Sequence, residues 1–431
     1  MDRIKRRILL LVGMIAGAVM LLNGCGETEQ EEEEKTITLL ASQNWIKEID
    51  RKLFLEFEEQ TGIKVELLLT PDDGYEALAG TYLAGGSSAV DIFMFPVGEM
   101  IESMGIDKAA FDLSGESWVD NMEDWALKEG SCGGKLLGFN TWGIDYEGIL
   151  YNKTFFEENH LEAPDTWEEF LALCEQIRRL GTAPLYESIN TSWHTRSWAA
   201  GLTPVMEEEE PSFREKLNRS MDYKFEDLEC FAKGLEQIRQ LLAPGEDGGA
   251  RYYISDGMND DFEGSYRYLA ERKAVMMFTY SAYAAELESY GSKDAWGMFP
   301  VPLLDNRTAI SNGGGMAKFI NKHSQNIEES RSLFEFLAKS ENLEAYYSAR
   351  TDLVTAAFKN VESVHTTDAT REILGRTEKE PVVMFIKDVS YVDPNMYQYF
   401  QGFSDGTCSV EQFVRNCDAY REEMFGDGEK E

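Results

Sequence analysis

From Thr36 onward the chain alternates short apolar runs with amphipathic stretches, and the order of the two is informative. Thr36 to Ala41 is a compact apolar run of strand length. Ile49, Leu53, Phe54 and Phe57 then recur at helical spacing, and Thr61-Gly62 supplies a stop. Lys64 to Leu69 reads as a second strand. Leu78, Tyr82 and Leu83 mark a second helix closed by Gly85-Gly86, and Val90 to Phe95 is a third strand. Strand, helix, strand, helix, strand at this spacing predicts parallel strands with right-handed crossovers. Ligands of such sheets sit beyond the carboxyl ends of the strands, which points at Ser42 to Trp45 and at Phe95 to Val97.

The middle of the chain is more helical. Thr166 to Arg179 predicts an amphipathic helix with Trp167, Phe170, Leu171, Cys174 and Ile177 on one face, and Thr166 with Glu169 forms a capping box. Glu207 to Glu210 and Pro244 to Ala250 read as exposed loops, Ala274 to Thr279 as a strand. Pro300 and Pro302 flank a turn, Asn312 to Gly315 is a glycine loop, and Ser330 to Ala338 is a further helix.

The first 35 residues follow other rules. Arg3, Lys5, Arg6 and Arg7 precede an apolar run from Ile8 to Leu22, too short for a comfortable membrane span and of the right form for a secretory signal. Leu22-Asn23-Gly24-Cys25 resembles the lipobox of bacterial lipoproteins, although Asn23 departs from the usual small residue. That resemblance implies cleavage before Cys25 and acylation of its sulfur, and a diacylated cysteine meets the two-chain requirement for stable anchoring. Residues 26–35 contain no apolar side chain and read as an acidic tether.

With 431 residues, 43% of them hydrophobic, the chain can bury a large core in more than one domain. Its formal charge of −37 argues against nucleic acid as partner, since phosphate binding needs clustered Lys and Arg. Cys132, Cys174, Cys230, Cys408 and Cys417 are dispersed without metal-ligand spacing, and a bond between Cys408 and Cys417 stays open at this level.

Three blocks in order carry a family resemblance. Gly134-Lys135-Leu136 leads to Tyr151-Asn152-Lys153, Phe155-Phe156 and Pro164-Asp165-Thr166-Trp167-Glu168-Glu169-Phe170. Ala274 to Phe278 and Trp296 to Pro302 follow, with Arg272-Lys273 standing where Gly-Lys is usual. Over most of residues 36–425 the chain resembles the extracellular solute-binding proteins of ABC sugar importers, of the maltose-binding type. The resemblance implies an α/β, two-lobe periplasmic-binding-protein-like (type II) fold with hinge crossings, each lobe a mostly parallel sheet flanked by helices. It places crossings near 143–148, 294–299 and 338–342. The implied division is 1–24 as signal peptide, 25–35 as lipidated cysteine and tether, 36–144 with 299–338 as the N-terminal lobe, and 145–298 with 339–426 as the C-terminal lobe.

A sugar site needs flat apolar side chains for the ring faces and carboxylates or amides for the hydroxyl edge. By resemblance Asp145 bonds sugar hydroxyls, Phe95 stacks after the third strand, and Tyr280 or Tyr283 stacks after the 274–279 strand. Trp45 lies in the loop after the first strand; the resemblance adds Trp142 beside the first implied crossing and Trp193 in a run where second-lobe contacts are implied, with Trp198 expected in the core; Asn312, Gly313 and Gly314 offer an amide and bare backbone N–H groups. No catalytic residue, metal site or cofactor is expected. His160, His194, His323 and His365 are scattered, and Asp256, Asp260 and Asp261 lack the glycine and glutamate of a calcium loop. The expected partners are a carbohydrate, the importer's permease subunits and a membrane reached through Cys25, with the protein a monomer. A receptor for a polyamine or peptide, and a surface glycan hydrolase, are the competing readings.

Overall fold

The computed structural model describes residues 35–428, apart from 72–74, 84–85, 99, 246–247, 256–261, 351–352, 360 and 365. The signal run, Cys25, His365 and the three aspartates weighed for calcium lie outside the described residues. Among the described residues no helix is long and apolar enough to cross a membrane.

The strands, in chain order, are β1 (Lys35–Ser42), β2 (Ile63–Thr70), β3 (Ile92–Pro96), β4 (Ser131–Cys132), β5 (Lys135–Leu136), β6 (Gly138–Asn140), β7 (Tyr146–Asn152), β8 (Ala183–Tyr186), β9 (Tyr253–Ile254), β10 (Ala274–Tyr280), β11 (Trp296–Phe299), β12 (Ile310–Ser311), β13 (Met316–Ile320) and β14 (Val382–Val383). One sheet has the order β2-β1-β3-β13-β6, and a second has β14-β12-β7-β10-β8-β9 with β11 also beside β7. β1 and β3 are parallel, as the strand–helix alternation predicts. Both sheets are nevertheless mixed. β13 runs against β3 and β6, and β7 runs against β10, β11 and β12, because these strands begin at crossings from the other sheet.

Both faces of the central strands are buried, which is why their sequences read as continuous apolar runs. In the first lobe Ile37, Leu39, Ile92 and Met94 join one core layer while Leu40, Phe93 and Phe95 join the other. In the second, Ile149, Met276 and Phe278 face one layer and Leu150, Ala274 and Met277 the opposite one. The helix Trp167–Arg179 forms with its Thr166–Glu169 capping box; Leu173 rather than Leu171 completes its buried face.

Three segments join the lobes. Thr141 to Asp145 links β6 to β7, Asn312 to Gly315 links β12 to β13, and a third runs between Phe358 in the first core and Ala369 in the second. The second and third lie further along the chain than 294–299 and 338–342. Val301, Leu303 and Ile310 pack in the second lobe, so the chain has not yet returned at residue 299. The helix Ser340–Ala349 buries Leu343, Tyr346 and Tyr347 with Leu53, Phe54 and Phe334, so the first lobe extends to Phe358.

Glu207 to Glu209 are helical rather than a loop. The helix Thr203–Glu209 buries Thr203, Pro204, Val205 and Met206. Glu209 accepts hydrogen bonds from the backbone N–H of Glu229 and Cys230, at the start of the helix Glu229–Leu242, where a carboxylate is favoured. Cys408 and Cys417 are not joined by a disulfide, and Cys132, Cys174 and Cys230 form none among the described residues.

Candidate functional site

The crossings are stitched by side-chain to backbone hydrogen bonds. Asn140 Nδ2 donates to the Gly314 carbonyl at 3.1 Å. The Asp145 backbone N–H donates to Asn312 Oδ1 at 2.9 Å, and the Asn312 N–H returns to the Asp145 carbonyl at 3.1 Å. Ile144 N–H donates to Thr355 Oγ1 at 2.6 Å. Gly143 permits that approach: a Cβ there would lie 2.2 Å from the Thr355 carbonyl oxygen.

Asp145 is the centre of this seam. Its carboxylate accepts from Ser281 Oγ at 2.5 Å and from the backbone N–H groups of Tyr146 at 2.8 Å and Ala282 at 3.3 Å. Ser281 in turn accepts from Thr370 Oγ1 through its hydroxyl and from Thr367 Oγ1 through its carbonyl. One buried carboxylate thus ties the first crossing to the end of β10 and the far side of the third crossing. Burial pushes its pKa up to about 7, against the pull of those donors, and the neighbouring Glu147 adds to the rise. The side chain is spent on protein groups, which differs from the sugar-facing role the resemblance implies.

The other predicted residues separate into packed and open groups. Phe95 is 2% exposed, with its ring 5.8 Å from Tyr75 inside the first core. Tyr283 is fully buried, hydrogen-bonded to Ser265 and stacked on Tyr266 at 4.8 Å. Phe95 lies inside β3 with its ring against Tyr75, and Tyr283 begins the helix Tyr283–Ser289 with its ring against Tyr266 of the helix Ser265–Ala270. Gly313 and Gly314 are buried with positive φ, closing against Glu129 and Trp125 of the first lobe and, at Gly313, Val383 of the second. Asn312 is half-buried and engaged with Asp145.

Trp45 lies half-buried in the turn after β1, edge-on to Tyr75 at 4.6 Å. Trp142 sits on the first crossing, its face covered by the Arg350 guanidinium at 4.8 Å and its Cβ against Gly315. The indole Nε1 of Trp142 is buried and has no hydrogen-bond partner among the described residues. Leaving such a donor unpaired costs about 1–3 kcal/mol, so this position favours an added acceptor.

Trp193 is the open one, 38% exposed at the start of the helix Ser192–Ala200. Its ring lies 4.6 Å from Phe262 and 6.5 Å from Tyr280, and Phe262 stacks on Tyr280 at 6.0 Å. Phe262 escaped the sequence reading, because a single Phe after an acidic loop carries no pattern. Tyr280 is half-buried and donates to Glu286 at 2.9 Å. Beneath this cluster lies a charged floor. His194, edge-on to Trp193, directs Nδ1 at Glu187 at 3.2 Å and Nε2 at the Phe278 carbonyl at 2.7 Å. Burial works against a charged ring there, yet Glu187 and the Phe278 carbonyl prevail and raise the His194 pKa. Trp198, buried as expected, donates Nε1 to the other oxygen of Glu187 at 2.8 Å.

This architecture defines a two-lobed solute receptor, and comparison with known proteins gives the same class. The sequence profile of the bacterial extracellular solute-binding protein family matches residues 52–370, and the chain belongs to that family. The multiple sugar-binding protein of Streptococcus mutans serotype c is 20% identical over 342 residues, covering 78% of this chain and 80% of that protein. A chitin oligosaccharide binding protein superposes with a TM-score of 0.72 at 19% identity, over 90% of this chain and 98% of the other. The binding protein RafE in complex with raffinose gives 0.69 at 17% identity, over 90% and 99%. These likenesses establish the two-lobe, type II periplasmic fold, built on mixed sheets.

Proposed function

We propose that this protein captures a neutral carbohydrate, an oligosaccharide, between its lobes and delivers it to the permease of an ABC importer without chemical change. The observation that carries this reading is the Trp193–Phe262–Tyr280 cluster at the carboxyl end of β10, with Trp193 exposed and the other two rings half-buried. An open ring supported by partly buried ones suits the apolar face of a sugar, where the ring face and its C–H groups meet. Trp142 Nε1 adds an unpaired donor at the hinge, suited to a hydroxyl oxygen. Relatives named for sugar, chitin oligosaccharide and raffinose binding support the same class.

Closure follows from linkage. A ligand held by both lobes stabilises the closed arrangement by the contacts made only there, and the three crossings are the hinge. Leu22-Asn23-Gly24-Cys25 supports processing at Cys25 and a lipid anchor on the outer face of the membrane.

A thermal-shift screen tests the reading, using malto-, cello-, chito- and raffinose-series sugars beside spermidine and a tripeptide. A binding sugar at 100 times its dissociation constant stabilises by about 2.7 kcal/mol and raises the melting temperature. A rise with spermidine or peptide and none with any sugar overturns the proposal, and so does release of shorter sugars during incubation. For the anchor, Cys25→Ala is expected to leave the protein unlipidated; a cleaved chain that still partitions into detergent contradicts it.

A further inference from the structure

A concavity of about 510 Å³ is lined by Ile189, Asn190, Ala250, Tyr253, Ile254 and Ser404 among others. We infer that it is an outer subsite for a further neutral sugar ring, an inference that rests on the carbohydrate reading above.

Its place in the sheet is the first argument. β8 is parallel both to β10 and to β9, so the carboxyl ends of all three strands face the same way. Those ends are where ligands of α/β sheets collect. Tyr280 ends β10, Ile189 and Asn190 follow β8, and Ser255 follows β9. Trp193 is the second residue of the helix Ser192–Ala200, which follows Ile189 and Asn190 in the chain. The row from Tyr280 to Ser255 crosses two strand spacings, about 10 Å, a span comparable with two linked sugar rings rather than one.

The second argument is chemical. The lining residues, Ser255 included, offer an amide, two hydroxyls, a phenol ring and three aliphatic side chains, and none is ionised at neutral pH. That set suits a polyol with one apolar face, and none of the described residues that line the concavity gives a cation or an anion a counter-charge. The polar groups are also held in place. Gln401 Nε2 donates to Asn190 Oδ1 at 2.9 Å, which fixes the orientation of that amide. Ser404 bonds the Tyr253 side chain and donates to the Gln401 carbonyl at 2.7 Å. The volume falls within the usual range for small-molecule sites, about 300–1,000 Å³.

The experiment is calorimetry with the tightest-binding sugar of the screen above and its homologues one ring shorter and one ring longer. Two variants probe the concavity from exposed or half-exposed positions: Ala250→Trp, which fills it, and Tyr253→Ala, which removes its ring. The expected result is a loss of at least tenfold for the longest homologue that gains affinity in the wild type, with the shortest unchanged in both variants. Circular dichroism and melting temperature show that each variant is folded, and either folded variant suffices. An affinity that does not rise with length in the wild type, or a length profile unaltered in a folded variant, overturns the subsite while leaving carbohydrate binding intact. Absence of binding by any sugar removes the carbohydrate reading itself, and this inference with it.

Discussion

The hinge seam and the outer aromatic cluster treat their side chains in opposite ways. At the seam, Asp145 and Asn312 have the chemistry expected of sugar ligands, yet both are engaged by protein donors and acceptors. At the outer cluster, Trp193 keeps more than a third of its surface open although it could have packed, as Trp198 one turn later does. A polar group already bonded offers a ligand little, because its exchange of partners is nearly neutral. An exposed ring retains its full gain on burial. Under the proposed function, the contrast gives positioning to the seam and affinity to the cluster.

The largest expected effect lies under the cluster. His194→Ala removes the partner of Glu187 and leaves a carboxylate buried with Trp198 Nε1 as its remaining close donor. Breaking a buried pair in this way costs about 3–5 kcal/mol, read as a fall in the denaturant midpoint. The pH dependence has a definite sign. The folded His194 pKa lies above its ordinary 6.5, so the pair's contribution is complete below 6.5 and is lost as pH rises through the folded value. An alanine variant that matches the wild type in stability breaks the picture of a charged floor.

The seam gives the next effect, in an adjoining window. Asp145 rises from an ordinary 3.8 to about 7, equivalent to about 4 kcal/mol at most. Between these values the folded state holds a proton that the unfolded state has released, so stability falls as pH climbs from about 4 to about 7. Asp145→Asn is expected to flatten this part of a melting-temperature profile and to equal or exceed the wild type at pH 7.5. The slope that survives includes the contributions of Glu147, Asp388 and Asp418, which burial raises in the same direction. A variant with an undiminished slope shows that Asp145 is not the titrating group.

The contrast also explains what the sequence disclosed. The strand–helix order of residues 36–95 and the Thr166–Glu169 cap are local signals, and the structure reproduces them. Trp198 was readable as core. The fate of Asp145 was not, because its partners Ser281 and Ala282 are more than 130 residues away. Tyr280 and Tyr283 read alike, three residues apart, yet Ser265 and Tyr266 cover only the second. Phe262 acquires its place only through the fold, which sets it between Trp193 and Tyr280. The crossings moved for a similar reason: local pattern marks helices, and the core that each helix joins is decided by distant residues.

Trp193 supplies the smallest effect in energy and the sharpest test of the division of roles. Trp193→Ala removes a ring already 38% exposed, so its loss from the free protein costs little stability. In the complex that ring would lie against the sugar, and losing a stacked aromatic contact of about 1.4 kcal/mol or more corresponds to tenfold in affinity. Trp193→Phe keeps a flat face against Phe262 and is expected to recover part of that loss. Trp45→Ala is the control from the first lobe: its edge-on contact with Tyr75 makes it a packing residue, so melting temperature should fall more than for Trp193→Ala. If Trp45→Ala weakens sugar binding as strongly as Trp193→Ala while leaving the fold as stable, affinity is shared evenly between the lobes, and the assignment of binding to one cluster fails.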